Sequence, residues 1–222
     1  MSTDCGGSLI ASKWVLTAKH CLMQDNLKLF SDEFRVSIGE HNYLKGEIIK
    51  VTNFFFYSKA NVNDNDIALL KLEHTPKIDA SIPVQYNDNV NYEGENATLY
   101  GWGVTNLDDQ DGSSSVEHLR MVRVGLSSRI IEGFEHLTEW CKDKICFKSK
   151  DNQNKDIGFG DSGGPMTLMI GGVETLVGVA HGQSSIKLID DQKRVKKSEK
   201  ISSFVRTSYQ PYANWIKRTI TK

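Results

Sequence analysis

The run Gly160-Asp161-Ser162-Gly163-Gly164-Pro165 places one serine hydroxyl among glycines. Glycine adopts backbone conformations that other residues avoid, so this run permits a tight turn that exposes the serine as a nucleophile. A serine in a glycine-rich turn is ordinarily only a turn residue. The run therefore indicates catalysis only if other parts of the sequence supply a base and a carboxylate.

Two further segments supply those groups at the edges of apolar runs. Leu16 to Cys21 contains His20, and Asp64 to Leu70 contains Asp66, so the chain order is His, Asp, Ser. A serine hydroxyl is a weak nucleophile at neutral pH and needs a base within hydrogen-bond reach, and that base needs an orienting carboxylate. The sequence predicts that His20, Asp66 and Ser162 fill these roles.

The segments that must position these residues are short apolar runs separated by turn residues, a pattern that predicts an all-β fold. After Pro211, apolar residues at 212, 215, 216 and 220 recur with a helical period and predict a C-terminal helix. The polar segments 108–115 and 148–155 are predicted to be exposed, mobile loops. The predicted strands are Trp14 to Ala18, Phe34 to Ile38, Ile48 to Phe56, Ile67 to Leu72, Ala97 to Trp102, Met121 to Leu126 and Leu176 to Ala180.

Composition excludes several classes of protein. The 222 residues are 39% apolar and 25% charged, with a net charge of -1, so no global charge favours nucleic acid or an anionic membrane. No apolar run is long enough for a membrane span, and Met1 to Ile10 lacks the pattern of a secretory signal. Gln183 to Ser203 is predicted to be a basic loop, either solvated surface or an electropositive rim that steers acidic partners.

Four cysteines allow three pairings, which the sequence alone cannot distinguish. Cys5 and Cys21 bracket an apolar segment, and Cys141 and Cys146 can close a small loop, so two local disulfides are a plausible framework. We expect no metal site, because there is no C-x-x-C pair and the other histidines show no ligand spacing with the cysteines. Those histidines are His41, His74, His118, His136 and His181. Disulfides would indicate an oxidising compartment.

Five segments, in order along nearly the whole chain, resemble the chymotrypsin-like (trypsin-fold) serine protease family. The resemblance implies two antiparallel Greek-key β-barrels and a C-terminal α-helix, with the first strand of the amino-terminal barrel missing. It implies a single peptidase domain over residues 1–222, with barrels at about 1–105 and 106–210 and the helix at 211–222. The segments are Cys5 to Ile10, Trp14 to Cys21 with Lys19 replacing the usual alanine, Asp66 to Leu70, Gly101-Trp102-Gly103 and Tyr212 to Ile220.

The resemblance also implies a role for each candidate residue. Ser162 would attack the scissile carbonyl, His20 would accept and return the proton, and Asp66 would hold the imidazole in its productive tautomer. The backbone N–H groups of Gly160 and Ser162 would form the oxyanion hole. The family resemblance implies no cofactor and no metal, protein or peptide substrates, proteinaceous protease inhibitors as further partners, secretion, and a monomer.

Substrate choice would rest on Asp156, which aligns with the acidic residue at the base of the primary pocket in trypsin-like members. There it would pair with a substrate Lys or Arg, although a surface aspartate at the end of a polar loop would look the same. His181 replaces the family's usual tryptophan on the pocket wall, Gly182 keeps the pocket open, and Ser202 lies where glycine is common. Gly158 replaces a cysteine, so the bridge that usually braces the pocket is absent.

The start of the chain departs most from the family pattern. Active members begin with a short apolar amino-terminal sequence whose ammonium pairs with the aspartate before the nucleophile, and nothing before Cys5 matches it. Asp161 would lack that ion-pair partner, which predicts a zymogen-like or poorly active chain. Two explanations stay open: a truncated form of an ordinary secreted protease, or a short homologue that acts as a binding or regulatory protein.

Overall fold

The computed structural model describes residues 5–24, 27–58, 65–78, 80–104, 116–127, 137–147, 157–189 and 195–221, of which 137–138, 185–189 and 195–199 are described by their backbone alone. Nearly all regular structure in these residues is β. The strands are β1 (Ser8–Ala11), β2 (Trp14–Thr17), β3 (Met23–Gln24), β4 (Leu27–Lys28), β5 (Arg35–Ile38), β6 (Glu47–Phe56), β7 (Ala68–Leu72), β8 (Asn96–Gly101), β9 (Arg120–Gly125), β10 (Lys144–Phe147), β11 (Pro165–Ile170), β12 (Val173–Ile189) and β13 (Val195–Arg206). The helices are α1 (Leu137–Trp140) and α2 (Gln210–Ile220), with short 3₁₀ turns at His20–Leu22, Ser31–Glu33 and Tyr43–Lys45.

The amino-terminal half forms a five-stranded antiparallel sheet in the order β1-β2-β7-β6-β5. Its two central strands, β2 and β7, are almost wholly buried. Since β2 and β7 pair directly, with Thr17 opposite Ala68, the residues that follow Thr17 and precede Ala68 lie side by side. This register brings the segments of His20 and Asp66 together.

The second half forms a six-stranded antiparallel sheet in the order β10-β13-β12-β11-β8-β9. Strand β8 belongs to this sheet, so the change of sheet comes before Asn96. Strands β11 and β12 are joined by a tight turn at Gly171 and Gly172, both with positive φ. The turn that contains Ser162 leads directly into β11.

The predicted fold class is confirmed: the strands form curled antiparallel sheets followed by a C-terminal helix, consistent with the double barrel of the trypsin fold. Each predicted apolar strand overlaps an observed one, namely β2, β5, β6, β7, β8, β9 and β12. The predicted mobile loops at 108–115 and 148–155 lie outside the described residues.

The prediction of a loop from Gln183 to Ser203 is wrong for the residues that the structure describes. Residues 183–189 extend β12, residues 195–203 lie in β13, and the two segments pair as an antiparallel hairpin as far as Ile189 and Val195. Lysine has a low strand propensity, but cross-strand pairing decides strand formation more strongly than that propensity does. The basic segment is therefore an extended two-stranded arm.

Two apolar clusters stabilise the fold. One lies under the five-stranded sheet and continues through Leu176, Val179 and Val205 to the buried face of α2, so it joins both halves of the chain. The other lies within the six-stranded sheet, where the rings of Phe147 and Phe204 stack with centroids 6.0 Å apart. The first cluster extends beneath the strands that carry the candidate site.

Helix α2 begins one residue before the predicted range of 211–222, ends at Ile220, and buries Tyr212, Ala213, Ile216 and Thr219. Pro211 lies at its start, where a missing backbone N–H costs no helical hydrogen bond. None of the helices among the described residues has the length and apolar character needed to cross a membrane.

Candidate active site

Ser162 lies in a tight turn just before β11, and two glycines give this turn its shape. Gly160 has φ of +94° and Gly163 has φ of +79°, conformations that L side chains rarely adopt. A Cβ at Gly163 would lie 2.2 Å from Oγ1 of Thr17 and 2.5 Å from the carbonyl oxygen of Gly6. The turn therefore needs glycine both for its backbone conformation and for its close contact with the amino-terminal half.

The turn is fixed by hydrogen bonds from both halves of the chain. The backbone N–H of Gly6 donates to the carbonyl oxygen of Ser162 at 2.7 Å, and Oγ1 of Thr17 donates to the carbonyl oxygen of Gly6 at 2.8 Å. On the other side, the N–H of Gly163 donates to the carbonyl oxygen of Ala180 in β12 at 2.8 Å. Ser162 thus lies where the two sheets meet.

His20 and Asp66 are joined by two hydrogen bonds. The backbone N–H of His20 donates to Oδ1 of Asp66 at 2.8 Å, and Nδ1 of His20 lies 2.7 Å from Oδ2. The first bond fixes the start of the 3₁₀ turn that carries His20, and the second fixes the imidazole ring. The structure brings together the two residues that the sequence placed 46 positions apart.

His181 makes a contact that the sequence analysis did not predict. Its Nδ1 lies 2.6 Å from the same Oδ2 of Asp66, and its ring centroid lies 6.3 Å from that of His20. The ring of Trp140 lies on another side of His181, also at 6.3 Å between centroids. The sequence signal was an imidazole at a position where the family usually has tryptophan, but its partner cannot be identified without the fold.

The carboxylate of Asp66 is fully buried yet ionised. Burial by itself would raise its pKa, but the hydrogen bonds from His181 and His20 outweigh that effect and hold the pKa of Asp66 well below its ordinary value. Because an ionised carboxylate only accepts hydrogen bonds, both Nδ1 atoms carry the hydrogen. In the neutral imidazole of His20, Nε2 is then free to accept a proton.

Asp161 is held by backbone N–H groups. Oδ1 accepts from Gly103 and Oδ2 accepts from Gly158, both at 2.8 Å. Burial raises the pKa of Asp161, and the two N–H donors offset this only in part. Added Cβ atoms would lie 1.8 Å from Oδ1 of Asp161 at Gly101 and 2.6 Å at Gly103, so the carboxylate occupies space that two glycines leave open.

The predicted pocket residues fall into two groups. His181, Gly182 and Ser202 lie on the adjacent strands β12 and β13, where Ser202 is buried and pairs with Gln183. A Cβ at Gly182 would meet no atom within 4 Å, which shows open space beside this edge of the strand. Asp156 lies outside the described residues.

The structure contains the two local disulfides that the sequence analysis considered, Cys5–Cys21 and Cys141–Cys146. The first ties the segment before β1 to the residue that follows His20. It therefore restrains the backbone next to the candidate base.

Two groups among the described residues bring three atoms of metal-ligand type within 4.8 Å of one another. In the group of Cys5, His20 and Cys21, the sulfurs are joined in a disulfide and offer no thiolate. In the group of His20, Asp66 and His181, both Nδ1 atoms already donate hydrogen to the carboxylate. The geometry is that of a hydrogen-bonded cluster.

The described residues form an antiparallel two-sheet fold, with a histidine, an aspartate and a glycine-framed serine near the junction of the sheets. This is the arrangement that the sequence resemblance to serine proteases predicts. The family model described as Trypsin matches residues 1–216. The chain belongs to the trypsin family, whose members include the chymotrypsin-like serine proteases.

Individual relatives agree with this assignment. The chain is 28% identical to trypsin of Sus scrofa over 223 residues, which cover 97% of this chain and 85% of that protein. It is 30% identical to chymotrypsin of Phaedon cochleariae over 178 residues, covering 75% of this chain and 60% of the relative. It is 29% identical to mannan-binding lectin serine protease 1 of Homo sapiens over 182 residues, covering 74% of this chain and 26% of the relative. The chain thus spans less than two thirds of the length of the latter two proteins.

Proposed function

We propose that this chain is a serine endopeptidase that hydrolyses peptide bonds through an acyl-enzyme. The observation that carries the proposal is the imidazole of His20, held by a buried, ionised Asp66 through two hydrogen bonds in a chain of the trypsin family. An imidazole with Nδ1–H fixed in this way presents Nε2 as a base for a serine hydroxyl. Ser162, in its glycine-framed turn, is the nucleophile in this proposal.

The reaction proceeds in two halves. Nε2 of His20 takes the proton of the Ser162 hydroxyl while Oγ attacks the peptide carbonyl, and the resulting imidazolium gives the proton to the leaving amine. Water then attacks the acyl-enzyme with His20 again as base. The N–H groups of Gly160 and Ser162 stabilise the oxyanion, and donors of this kind contribute about 10²- to 10³-fold in rate.

Covalent labelling tests this proposal. Full-length, processed protein should react with a serine-directed fluorophosphonate, and Ser162→Ala should abolish labelling because the nucleophile is gone. The matched control is Ser31→Ala, because the hydroxyl of Ser31 donates a hydrogen bond to the carbonyl oxygen of Thr52 on β6. This variant should label like the wild type. Absence of labelling in correctly folded wild-type protein would contradict the proposal.

We also propose cleavage after Lys or Arg, with Asp156 as the pocket carboxylate. The support is the alignment of Asp156 six residues before Ser162, as in trypsin-like members of the family. Asp156→Ser should lower kcat/KM for basic peptides by roughly 10²- to 10³-fold relative to apolar ones, since a buried cation would lose its partner. Asp151→Ser, in the same polar segment, is the matched control; an unchanged preference in Asp156→Ser would remove Asp156 from the pocket.

The same proposal includes protein or peptide substrates, regulation by proteinaceous inhibitors, and secretion. The support is family membership together with the two disulfides, which persist in oxidising compartments.

The second candidate function is that of a catalytically impaired homologue with a binding or regulatory role. It is favoured by the buried Asp161, whose pKa is raised by burial and whose hydrogen-bond partners among the described residues are the backbone N–H groups of Gly103 and Gly158. The labelling experiment separates the two candidates, because an impaired homologue would fold and fail to react.

A further inference from the structure

We propose that His181 is a positioning residue of the active site, which holds the carboxylate of Asp66 so that Asp66 can hold His20. The inference rests on the proposed function and deepens it, because it adds a third residue, beside His20 and Asp66, to the group that prepares Ser162. The sequence analysis assigned His181 only to the wall of the substrate pocket.

The carboxylate of Asp66 accepts hydrogen bonds from three donors. Oδ1 accepts from the backbone N–H of His20, while Oδ2 lies 2.7 Å from Nδ1 of His20 and 2.6 Å from Nδ1 of His181. A carboxylate oxygen has two lone pairs, so Oδ2 is fully used only when both imidazoles donate to it. Without His181, one lone pair of a buried charged oxygen would lose its partner, which is costly in a protein interior.

A β-bulge in β12 directs the side chain of His181 toward Asp66. In the β12–β13 ladder, Ala180 pairs with Phe204 and Gly182 pairs with Ser203, so His181 is the extra residue of a β-bulge. Bulges change the direction in which a side chain leaves the sheet. The bulge follows directly after Ala180, whose N–H donates to the carbonyl oxygen of Gly164, so it is anchored to the turn of Ser162.

The contact between His181 and Asp66 is held by the surroundings of His181. The His181 side chain is 18% exposed, its ring lies beside Trp140, and its strand is paired with β13. A donor on a paired strand restrains its acceptor more closely than a donor on a free loop. His181 therefore fixes Oδ2 in place before substrate binds.

The catalytic consequence follows from the charge that develops on His20. When His20 takes the proton of Ser162 it becomes a cation, and an ionised, correctly oriented Asp66 stabilises it. His181 donates its hydrogen bond to Asp66 throughout and transfers no proton. It acts on the reaction only through the orientation and ionisation of Asp66.

The test compares His181→Phe, which keeps a ring but removes the donor, with His181→Asn, whose amide nitrogen can take the place of Nδ1. A small fluorophosphonate that leaves the extended subsites empty reports the activation of Ser162 alone. His181→Phe should slow phosphonylation about 10- to 100-fold, as expected for a lost hydrogen bond to a buried charge. With a short peptide substrate, kcat should fall by a similar factor while KM changes less, and His181→Asn should recover most of the rate.

His74→Phe is the matched control, because His74 also lies within hydrogen-bond distance of a carboxylate, Glu47, but at an exposed site. It should phosphonylate at the wild-type rate. Equal phosphonylation rates in wild type and His181→Phe would overturn the proposal, as would a failure of His181→Asn to exceed His181→Phe.

Proton NMR separates this inference from the proposed function. Short bonds to a carboxylate deshield the Nδ1 protons, so the wild type should show two strongly downfield N–H resonances, from His20 and His181, and His181→Phe should lose one. A single downfield resonance that His181→Phe leaves unchanged would overturn the contact even in an active enzyme. Two resonances in a protein that fails to label would confirm the contact between His181 and Asp66. They would contradict both the proposed endopeptidase activity and the positioning role of His181 in it.

Discussion

Asp66 is the residue that connects the two histidines of the candidate site. Its side chain is fully buried, and it accepts hydrogen bonds from one backbone N–H and two imidazoles. Burial favours the neutral acid and raises the pKa of Asp66, whereas these donors favour the carboxylate and lower it. The effect of the donors is the larger one, so the pKa is lowered. His20 is therefore oriented by a carboxylate that the surrounding hydrogen-bond donors keep ionised.

This ionisation predicts how stability changes in acid. Because the pKa of Asp66 is lower in the folded than in the unfolded chain, its contribution is complete above the unfolded pKa near 3.8 and is lost as the pH falls below it. The free energy of unfolding of Asp66→Asn should therefore fall less steeply than that of the wild type between about pH 4 and pH 2. Urea denaturation at successive pH values measures the slopes.

The control for this measurement is Asp32→Asn, which removes an exposed carboxylate. Asp66→Asn should differ from the wild type in slope, whereas Asp32→Asn should stay close to it. Parallel curves for all three proteins would contradict the assignment of a lowered pKa to Asp66.

At the scale of elements, the turn that carries Ser162 depends on the segment after β8. Gly103 donates its N–H to Asp161, and Gly101 and Gly103 leave the space that the Asp161 carboxylate fills. Asp161 precedes Ser162 directly, so any shift of its side chain moves the backbone of Ser162. A strand end and a turn that are 58 residues apart thus form one unit.

Gly103→Ala should disturb this unit. The new Cβ would lie 2.6 Å from Cγ of Asp161 and 2.7 Å from the carbonyl oxygen of Phe159, so the turn must move. We expect a loss of about 1 to 3 kcal/mol in the free energy of unfolding from overpacking. Fluorophosphonate labelling should slow by more than roughly tenfold, because the oxyanion donors leave their positions.

Gly172→Ala separates the effect on the site from a general loss of stability. Gly172 has φ of +82° and open space around its Cβ position, in the turn between β11 and β12. The variant should lose stability and keep the wild-type labelling rate. Equal labelling rates in Gly103→Ala and wild type would show that Asp161 does not control the turn.

At the scale of the molecule, helix α2 connects the two halves near the site. The hydroxyl of Tyr212 donates to the carboxylate of Asp143, which precedes β10, and lies 3.1 Å from Oδ1 of Asn65, the neighbour of Asp66. Burial, followed by the hydrogen bond to Asp143, raises the pKa of Tyr212, so the hydroxyl stays protonated and remains a donor. One side chain of the helix therefore joins the second sheet to the segment that carries Asp66.

Tyr212→Phe should weaken this connection. Removing the hydroxyl leaves the buried Asp143 with one donor fewer, at an expected cost of about 1 to 3 kcal/mol. For a chain of this length the midpoint of thermal unfolding should fall by about 2 to 4 °C for each kcal/mol. Calorimetry measures the shift.

Tyr57→Phe is the matched control, since its ring contacts that of Tyr212 at 4.9 Å between centroids. It loses the same chemical group while the bond between Tyr212 and Asp143 stays in place. A midpoint of Tyr212→Phe that equals that of Tyr57→Phe would show that the helix is held by apolar packing alone.

Local sequence predicted most of the elements correctly, and the chemistry that it predicts stays a prediction. Short apolar runs bounded by turn residues predicted β2, β6 and β7, and the 3.6-residue period after Pro211 predicted α2, because these patterns depend on neighbours along the chain. The same reasoning failed for the arm of β12 and β13, where cross-strand pairing overrides the charged composition.

The sequence by itself determined which residues are candidates for chemistry here, His20, Asp66 and Ser162, because residue type and chain order support that prediction. Only the tertiary structure decided that His181 shares Asp66 with His20. His181 and Asp66 are 115 positions apart, and their contact depends on a one-residue bulge in β12 and on the junction of two sheets. A bulge changes the direction of one side chain without a recognisable sequence pattern, so its effect becomes visible only once the strands are paired.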